Sequence, residues 1–277
     1  LCLNDYEEVK VSKSSPGSNA IAVSTHDYLG PNNNQTSLIT TGNCVWGTNN
    51  EDLYYIIYDK TLRPYRVYKY NIFSKKHTFI YEEKRKEFSI GISSVESGVH
   101  VLLFTGTYDG SEIYIISPDD STFKIYSYVP DVDYSINHQN ATWFILKMHH
   151  DNQYIQTTCD FKHFKTIMRN RPHQQFIEIN IQGDYLLVLY KSRGINKVLC
   201  YNYCGNKMIT KSIELCNIQS GCMIHFPPHH NINEYTNNCT ISVNSYLQPS
   251  SLYYIQLDNL QNKNIIQYPT LPKNKKE

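Results

Sequence analysis

The sequence lacks any long hydrophobic run, and no stretch approaches the roughly 20 apolar residues of a membrane-spanning helix. It also lacks an excess of charge of either sign: 26 Lys and Arg residues and 25 Asp and Glu residues leave a formal net charge of +1. Nucleic acids and anionic membranes attract proteins whose surface is strongly basic. We therefore expect neither a nucleic acid nor a membrane among the partners.

No secretory leader is recognisable at the start, where LCLNDYEEVK is acidic and a signal peptide would be basic and then apolar. We therefore expect no signal peptide, no anchor and a cytoplasmic location. The cysteines are irregularly spaced, and several lie in apolar strand-like runs, which favours reduced, buried thiols. They are Cys2, Cys44, Cys159, Cys200, Cys204, Cys216, Cys222 and Cys239.

Glycine and proline are scarce beside tyrosine, since the 277 residues include 12 Gly, 11 Pro and 24 Tyr. Aromatic and β-branched residues favour strands, and strand-like runs alternate with short turns along most of the chain. In residues 88–93, Phe88, Ile90 and Ile92 share one face and small residues share the other, which is the period of a half-buried strand. Composition and pattern together predict an all-β protein.

The strand-like runs recur in groups of four, at the period of roughly 40 to 50 residues that is typical of β-propeller blades. Five groups can be traced, beginning near Trp46, Phe88, Tyr134, Phe176 and Met223. The second run of a group is often almost entirely apolar, as in TWFIL and YLLVL, which predicts a strand buried on both faces. Two β-sandwiches are the alternative, but a sandwich gives no reason for a restart after every fourth strand.

An incomplete sixth group precedes these five. It contains strand-like runs at residues 9–12, 20–24 and 37–41, and then Thr41-Gly42 leads almost directly into the run around Trp46. No room is left for a fourth strand, so we expect about five complete blades and a partial one. The best charged run, EEKRKE at residues 82–87, lies between two strands and predicts a solvated turn rather than a helix.

The sequence contains no complete catalytic or cofactor motif. The nearest approach to a G-x-S-x-G nucleophile elbow is Gly91-Ile92-Ser93-Ser94-Val95, which lacks the closing glycine and lies in a strand. No phosphate-binding glycine loop, HExxH or double CxxC occurs, so we expect no cofactor and no metal. The pairs His149-His150 and His229-His230 would point to opposite faces of a strand, and the cysteine pairs 200/204 and 216/222 do not form a double CxxC.

Acidic residues could line a substrate funnel, as in propeller glycosidases. The candidates are Asp109, Asp119, Asp120, Asp131 and Asp133, but all lie in apparent turns, where Asp commonly bonds to the backbone. Tyr54, Tyr55 and Tyr58 lie in a strand, where aromatic side chains commonly pack. We therefore assign no catalytic, cofactor-binding or metal-binding residue, and the substrate-binding residues stay unknown at this level.

One stretch is specific enough to indicate a family. YDKTLRPYRVYKYNI, followed by a turn and then YEEKRKEFSIGIS, resembles the propeller of the prolyl oligopeptidase family of serine peptidases, most closely its oligopeptidase B branch. The resemblance extends from about residue 9 to about residue 268. The matching residues are Ser12, Thr41-Gly42, Trp46, Leu62-Arg63-Pro64, Glu82-Glu83, Ser111-Glu112, Tyr134-Ser135, His138, Arg193-Gly194 and the run from Ser242 to Tyr254 with Pro249.

The resemblance implies a cytosolic enzyme in which an α/β-hydrolase domain with a Ser-Asp-His triad is capped by a seven-bladed propeller that admits only short peptides. In the oligopeptidase B branch, cleavage follows Lys or Arg. The sequence ends at YPTLPKNKKE, about where the family's chain crosses into the hydrolase domain. We therefore expect residues 1–277 to be a single incomplete propeller domain, without the catalytic domain it would serve and inactive alone. The alternative is a non-catalytic propeller acting as a protein-binding module.

Overall fold

The computed structural model describes residues 10–13, 21–24, 38–49, 51–95, 97–203, 210–214, 222–227, 237–244, 251–257 and 265–269. These ranges contain strands and turns but no helix, which confirms the all-β class. Accordingly, nothing within them is a helix long and apolar enough to cross a membrane. Of the residues singled out above, Cys2, Cys204, Cys216, His229-His230 and Pro249 lie outside the described residues.

The strands, in chain order, are β1 (Lys10–Lys13), β2 (Ile21–Ser24), β3 (Leu38–Trp46), β4 (Asp52–Tyr58), β5 (Pro64–Asn71), β6 (Lys76–Glu82), β7 (Ser89–Ser94), β8 (Val101–Thr107), β9 (Gly110–Ile116), β10 (Thr122–Tyr126), β11 (Val132–Gln139), β12 (Thr142–His149), β13 (Asn152–Thr158), β14 (Lys165–Arg169), β15 (Gln174–Gln182), β16 (Tyr185–Ser192), β17 (Ile195–Asn202), β18 (Thr210–Glu214), β19 (Met223–His225), β20 (Asn238–Asn244), β21 (Ser251–Gln256) and β22 (Ile265–Pro269).

Groups of four neighbouring strands repeat along the chain, as the sequence predicts. Strands β7 to β10, β11 to β14, β15 to β18 and β19 to β22 each pair antiparallel in chain order. The second strand of a group is deeply buried: Leu186, Leu187, Val188 and Leu189 of β16 all have 0% exposure. An apolar run of this kind needs a packed partner on both faces, and it finds one.

The N-terminal strands differ from the sequence prediction. The sequence predicts that a partial group ends at Thr41 and a new group begins near Trp46, whereas β3 is one strand that spans both and β1 to β6 form a six-stranded sheet. Thr40 pairs with β2 on one side and with β4 on the other. Too few residues separate the two runs for the chain to reverse. Between Thr40 and Cys44, β3 has more residues than β4 has opposite them. A bulge accommodates the extra residues, and Gly42 within it has a φ of 78°.

Contacts divide the chain into two compact units, Leu1–Asp131 and Val132–Glu277. In the first unit, apolar residues of β4 and β5 pack against those of β7, β8 and β9. Ile56, Val67 and Leu103 lie at the centre of this core with no more than 1% exposure. The side chains alternate along each strand, so one face of the β4–β5 region supplies this core.

In the second unit, the group β15–β18 is packed on both faces. Leu186 and Val188 face a core that includes Phe144 of β12. Leu187 and Leu189 face a second core that includes Ile241 of β20. Alternate residues of one strand thus join two different cores, which is how an array of sheets buries a continuous apolar interior.

Candidate functional site

The serine and histidines considered for catalysis do not form a site. Ser93 is a residue of β7 and pairs with Leu102 of β8. The rings of His149 and His150 lie 4.7 Å apart, so the prediction that they point to opposite faces is wrong. His149 ends β12, whereas His150 lies in the following turn with a φ of 46°. Within the described ranges, no group of three or more His, Cys, Asp or Glu side chains is placed to hold a metal ion.

Five cysteines fall within the described ranges, and none of these five forms a disulfide. Cys200 and Cys239 are buried, as expected for cysteines in apolar strands, and Cys222 is half-buried beside them. Cys44 and Cys159 are exposed, which the sequence pattern does not predict. Burial is therefore a property of the cysteines in the apolar core of the second unit rather than of all of them.

Several of the candidate aspartates make the local bonds expected in turns. Asp119 accepts hydrogen bonds from the amide of Ser121 at 3.1 Å and from its hydroxyl at 2.7 Å. Asp133 lies in strand β11 and not in a turn, so the prediction is wrong for this residue; its carboxylate accepts from the amide of Tyr134 at 3.0 Å. The Asp109 carboxylate accepts from the hydroxyls of Thr107 and Tyr128, and the backbone carbonyl of Asp109 accepts from the amide of Asp131 at 2.6 Å. These contacts shape loops and leave the carboxylates engaged.

Asp120 behaves differently, because its carboxylate reaches across to the neighbouring sheet. It lies in the turn between β9 and β10, and it accepts from the ammonium group of Lys69 in β5 at 2.6 Å. Lys69 also lies 3.4 Å from Asp52, and the hydroxyl of Tyr54 lies 3.4 Å from Asp120. Burial and these two carboxylates raise the pKa of the Tyr54 hydroxyl. Tyr54 and Asp120 are therefore packing and ion-pair residues between sheets.

A polar arrangement in the first unit is centred on Arg85, in the loop of residues 83–88 between β6 and β7. The Arg85 guanidinium lies 2.7 Å from Glu83 and 3.0 Å from Glu112 of β9. Glu83 also accepts from the hydroxyl of Thr105 at 2.6 Å, and Glu112 accepts from that of Tyr114 at 2.8 Å. We call Arg85, Glu83, Glu112, Thr105 and Tyr114 the Arg85 cluster. It joins the sheet that ends in β6 to the sheet that begins with β7.

The two carboxylates of the Arg85 cluster are almost inaccessible, at 3% exposure for Glu83 and 5% for Glu112. Burial alone would favour their neutral forms. The hydrogen bonds from Arg85 and Thr105 outweigh it at Glu83, and those from Arg85 and Tyr114 outweigh it at Glu112, so that each pKa falls to about 2. Both groups are therefore ionised near neutral pH and unsuited to exchange protons with a substrate there.

The side chain of Arg63, from the Leu62-Arg63-Pro64 motif, bonds to backbone carbonyl groups of the same loop. Its guanidinium donates to the carbonyl oxygens of Arg85 at 2.6 Å and of Phe88 at 2.8 Å. On its other side, Arg63 pairs with Asp59 at 2.9 Å, and Asp59 accepts from the amide and the hydroxyl of Thr61. A planar guanidinium can serve several acceptors at once. Arg63, the central residue of the motif, therefore has a structural role: it connects Asp59 to the loop of residues 83–88.

Sequence reasoning missed the importance of residues 82–87, which it interpreted as a solvated turn. The segment is a turn, and Lys84 and Lys86 are exposed, but Glu83 is buried and Arg85 is paired. A signal was present: Glu82-Glu83, Ser111-Glu112 and Arg63 all belong to the family resemblance, and Glu83, Glu112 and Arg63 converge on Arg85. The Arg85 cluster holds the two sheets in a fixed position relative to each other. It contains no nucleophile with an adjacent base, so it does not resemble a catalytic site.

The profile of the family described as "Prolyl oligopeptidase, N-terminal beta-propeller domain" matches residues 6–267. No curated protein sequence matches the chain.

Oligopeptidase B from Leishmania major is 15% identical with a TM-score of 0.67, over 82% of this chain and 34% of that one. Oligopeptidase B from Trypanosoma brucei, in a closed form with covalently bound antipain, is 14% identical with a TM-score of 0.69, over 90% and 36%. Prolyl oligopeptidase B from Galerina marginata is 13% identical with a TM-score of 0.64, over 90% and 40%. The chain thus spans little more than a third of the length of these enzymes, and the likeness shows a shared β-propeller fold.

Proposed function

The chain belongs to the prolyl oligopeptidase family, whose N-terminal β-propeller domain it carries, and on this premise we propose that it is the gating portion of an oligopeptidase B-like serine endopeptidase. The observation that carries this proposal is the family match over residues 6–267. The Arg85 cluster and the Lys69 ion pairs support a scaffold role, because their charged groups are engaged with one another and connect sheets.

In this proposal, the chemistry is performed by an α/β-hydrolase domain with a Ser-Asp-His triad, and the propeller restricts access to it. An unstructured short peptide can pass a constricted path that a folded protein cannot, so the propeller selects substrates by size. Separation of the two domains admits the peptide. The hydrolase domain also carries the acidic residues that select Lys or Arg, since carboxylates pair strongly with these side chains. The enzyme acts in the cytoplasm.

The proposal predicts that the isolated 277-residue chain does not hydrolyse an arginyl or lysyl amide reporter. Turnover by the purified chain that a serine-directed inhibitor blocks would overturn this part of the proposal. The coding sequence after Glu277 gives a second test. A GxSxGG-containing hydrolase segment supports the proposal, and the longer product should then cleave arginyl and lysyl reporters in preference to a prolyl one.

A non-catalytic propeller that binds another protein is the second candidate. It is favoured by apolar side chains presented on turns of the first unit, where Leu62 is 64% exposed and Tyr108 is fully exposed. Tyrosine is enriched among the residues that contribute most of the binding energy at protein interfaces. A coding sequence that stops without a hydrolase segment, together with a monodisperse 277-residue species, supports this candidate over the first.

A further inference from the structure

Glu178 of β15 is half-buried beside the apolar core that the groups β15–β18 and β19–β22 share. The pairing of β15 with β16 is irregular between Phe176 and Glu178, and a bulge of this kind re-aims the side chains beside it. Glu178 pairs with Leu189, which belongs to that core together with the partly buried Ile177. The Glu178 carboxylate accepts a hydrogen bond from the amide of Phe226 at 3.1 Å.

The titratable groups that share this core are phenols and thiols. They are Tyr185 of β16, Cys200 of β17, Cys222 before β19, Cys239 of β20 and Tyr253 of β21.

The nearby cationic and titratable groups outside the core do not neutralise Glu178. Lys191 of β16 follows Leu189 on the same face of the strand but is exposed. His225 lies between Ile224 and Phe226, which both enter the core, so its own ring points the other way. Among the described residues no cation forms an ion pair with Glu178.

This environment favours the protonated carboxyl. Desolvation by burial raises the pKa of Glu178, and the single hydrogen bond from the Phe226 amide only partly opposes it. If β19 separates from the neighbouring sheet, the carboxyl meets water and its pKa returns towards the ordinary value. The open state therefore loses its proton first. Attachment is strongest at and below the ordinary pKa of glutamate, and it weakens as the pH rises through the raised pKa.

Strand β19 is the element that would respond. It has three residues, and its ladder partner is β20, through the pairs of Met223, Ile224 and His225. Phe226 follows the last pair, and its amide turns to Glu178 in the neighbouring group instead. The short strand is thus bonded to the neighbouring group at its C-terminal end by one carboxyl group, and before its first residue by the Asn196 side-chain amide of β17, which donates to the Cys222 carbonyl at 2.8 Å.

We propose that Glu178 is a pH-sensitive latch, which holds β19 against β15 when a solvent proton neutralises its carboxyl and loosens β19 when that proton is released. The neutral carboxyl keeps a carbonyl oxygen that can accept from the Phe226 amide, so protonation removes the charge without removing the bond. The proposal does not depend on the peptidase function, because it concerns the 277-residue chain alone.

Hydrogen exchange of the full 277-residue chain tests the latch. Exchange of the Phe226 amide, and of the β19 and β20 amides beside it, is measured between about pH 4, just below the ordinary pKa of glutamate, and about pH 8, and is corrected for the intrinsic pH effect. In the wild type we expect the corrected exchange rate to rise with pH. In Glu178→Gln, which keeps an acceptor and cannot ionise, we expect this rise to be lost. Glu82→Gln, at a surface pair with Arg66, is the matched control and should retain the wild-type profile.

Three results would overturn the latch. The first is a wild-type profile without a rise, and the second is a Glu178→Gln profile with the same rise as the wild type. The third comes from Glu178→Leu, which removes the acceptor: the Phe226 amide should exchange faster than in Glu178→Gln at every pH, and equal rates would show that the carboxyl does not fasten the strand. A wild-type profile without a rise overturns the latch even if a variant fails to fold.

Discussion

Arg85 lies 3.0 Å from Glu112, and this ion pair connects the loop after β6 with a strand of the next sheet. The same guanidinium lies 2.7 Å from Glu83 and packs over the ring of Phe88 at 3.7 Å. Without Arg85, the buried and ionised Glu83 would lose its cation, and Glu112 would keep only the Lys124 ammonium group at 3.3 Å. Uncompensated buried charge is among the more costly defects a protein can carry. The first predictions concern this arrangement.

Replacing Arg85 with methionine should strongly destabilise the first unit. We expect Arg85→Met to lower the free energy of unfolding by about 3 kcal/mol, because removal of one partner leaves buried charge uncompensated. Urea unfolding measures this loss. Arg66→Met is the matched control: Arg66 pairs with Glu82 at 3.0 Å, but both side chains are about one-third exposed, so the loss should stay below about 1 kcal/mol. The Arg85 side chain is itself 37% exposed, so the expected difference comes from the buried carboxylates of Glu83 and Glu112. Equal losses in the two variants would show that the burial of these carboxylates does not make their pairing with Arg85 stronger.

The Arg85 cluster should also define the acid sensitivity of the first unit. Because the pKa values of Glu83 and Glu112 are depressed to about 2 in the folded chain, their stabilisation is complete above the ordinary glutamate pKa. It is lost as the pH falls from there through about 2. As the pH is lowered across this range, the urea midpoint of the wild type should decrease, and the midpoint of Glu112→Gln should decrease less steeply. An unchanged slope in the variant would show that other groups carry the acid sensitivity.

Arg63→Lys should loosen the loop of residues 83–88 although it keeps the charge. A lysine can approach Asp59, but it cannot also reach the two carbonyl oxygens of Arg85 and Phe88 with the geometry of the guanidinium. We expect a loss of roughly 1 to 3 kcal/mol and faster trypsin cleavage in the loop, at Lys84 or Lys86. Arg171→Lys is a suitable control and should leave that cleavage rate unchanged.

Gly106 in β8 should not tolerate a side chain. A Cβ atom there would meet the carbonyl oxygen of Gly110 and lie 2.8 Å from the Cα atom of Ser111. We expect Gly106→Ala to cost about 2 kcal/mol, because backbone must move to make room. At Gly91 in β7 a Cβ atom has nothing within 4 Å, so Gly91→Ala should be neutral or stabilise by about 0.5 kcal/mol. Thermal unfolding of the two variants is a direct comparison.

The strands were predictable because their signal is local. Alternation in β7 and the continuous apolar run in β16 each identify a strand within a few residues, and the restart after every fourth strand follows from turn positions. That residues 38–46 form one continuous strand, β3, was harder to predict. The sequence around Gly42 shows that residues are missing for a reversal, but only pairing with β2 and β4 decides that the chain continues as one strand.

The polar groups show the same division. The sequence by itself determined the all-β class, the repeat and, through Arg63, Glu83 and Glu112, the family. It could not distinguish Arg85 from Lys84 and Lys86, its equally charged neighbours, nor Glu178 from an ordinary strand glutamate. Tertiary structure decided both, because the pairing and burial of a charge depend on atoms from other sheets, whose register no local pattern encodes.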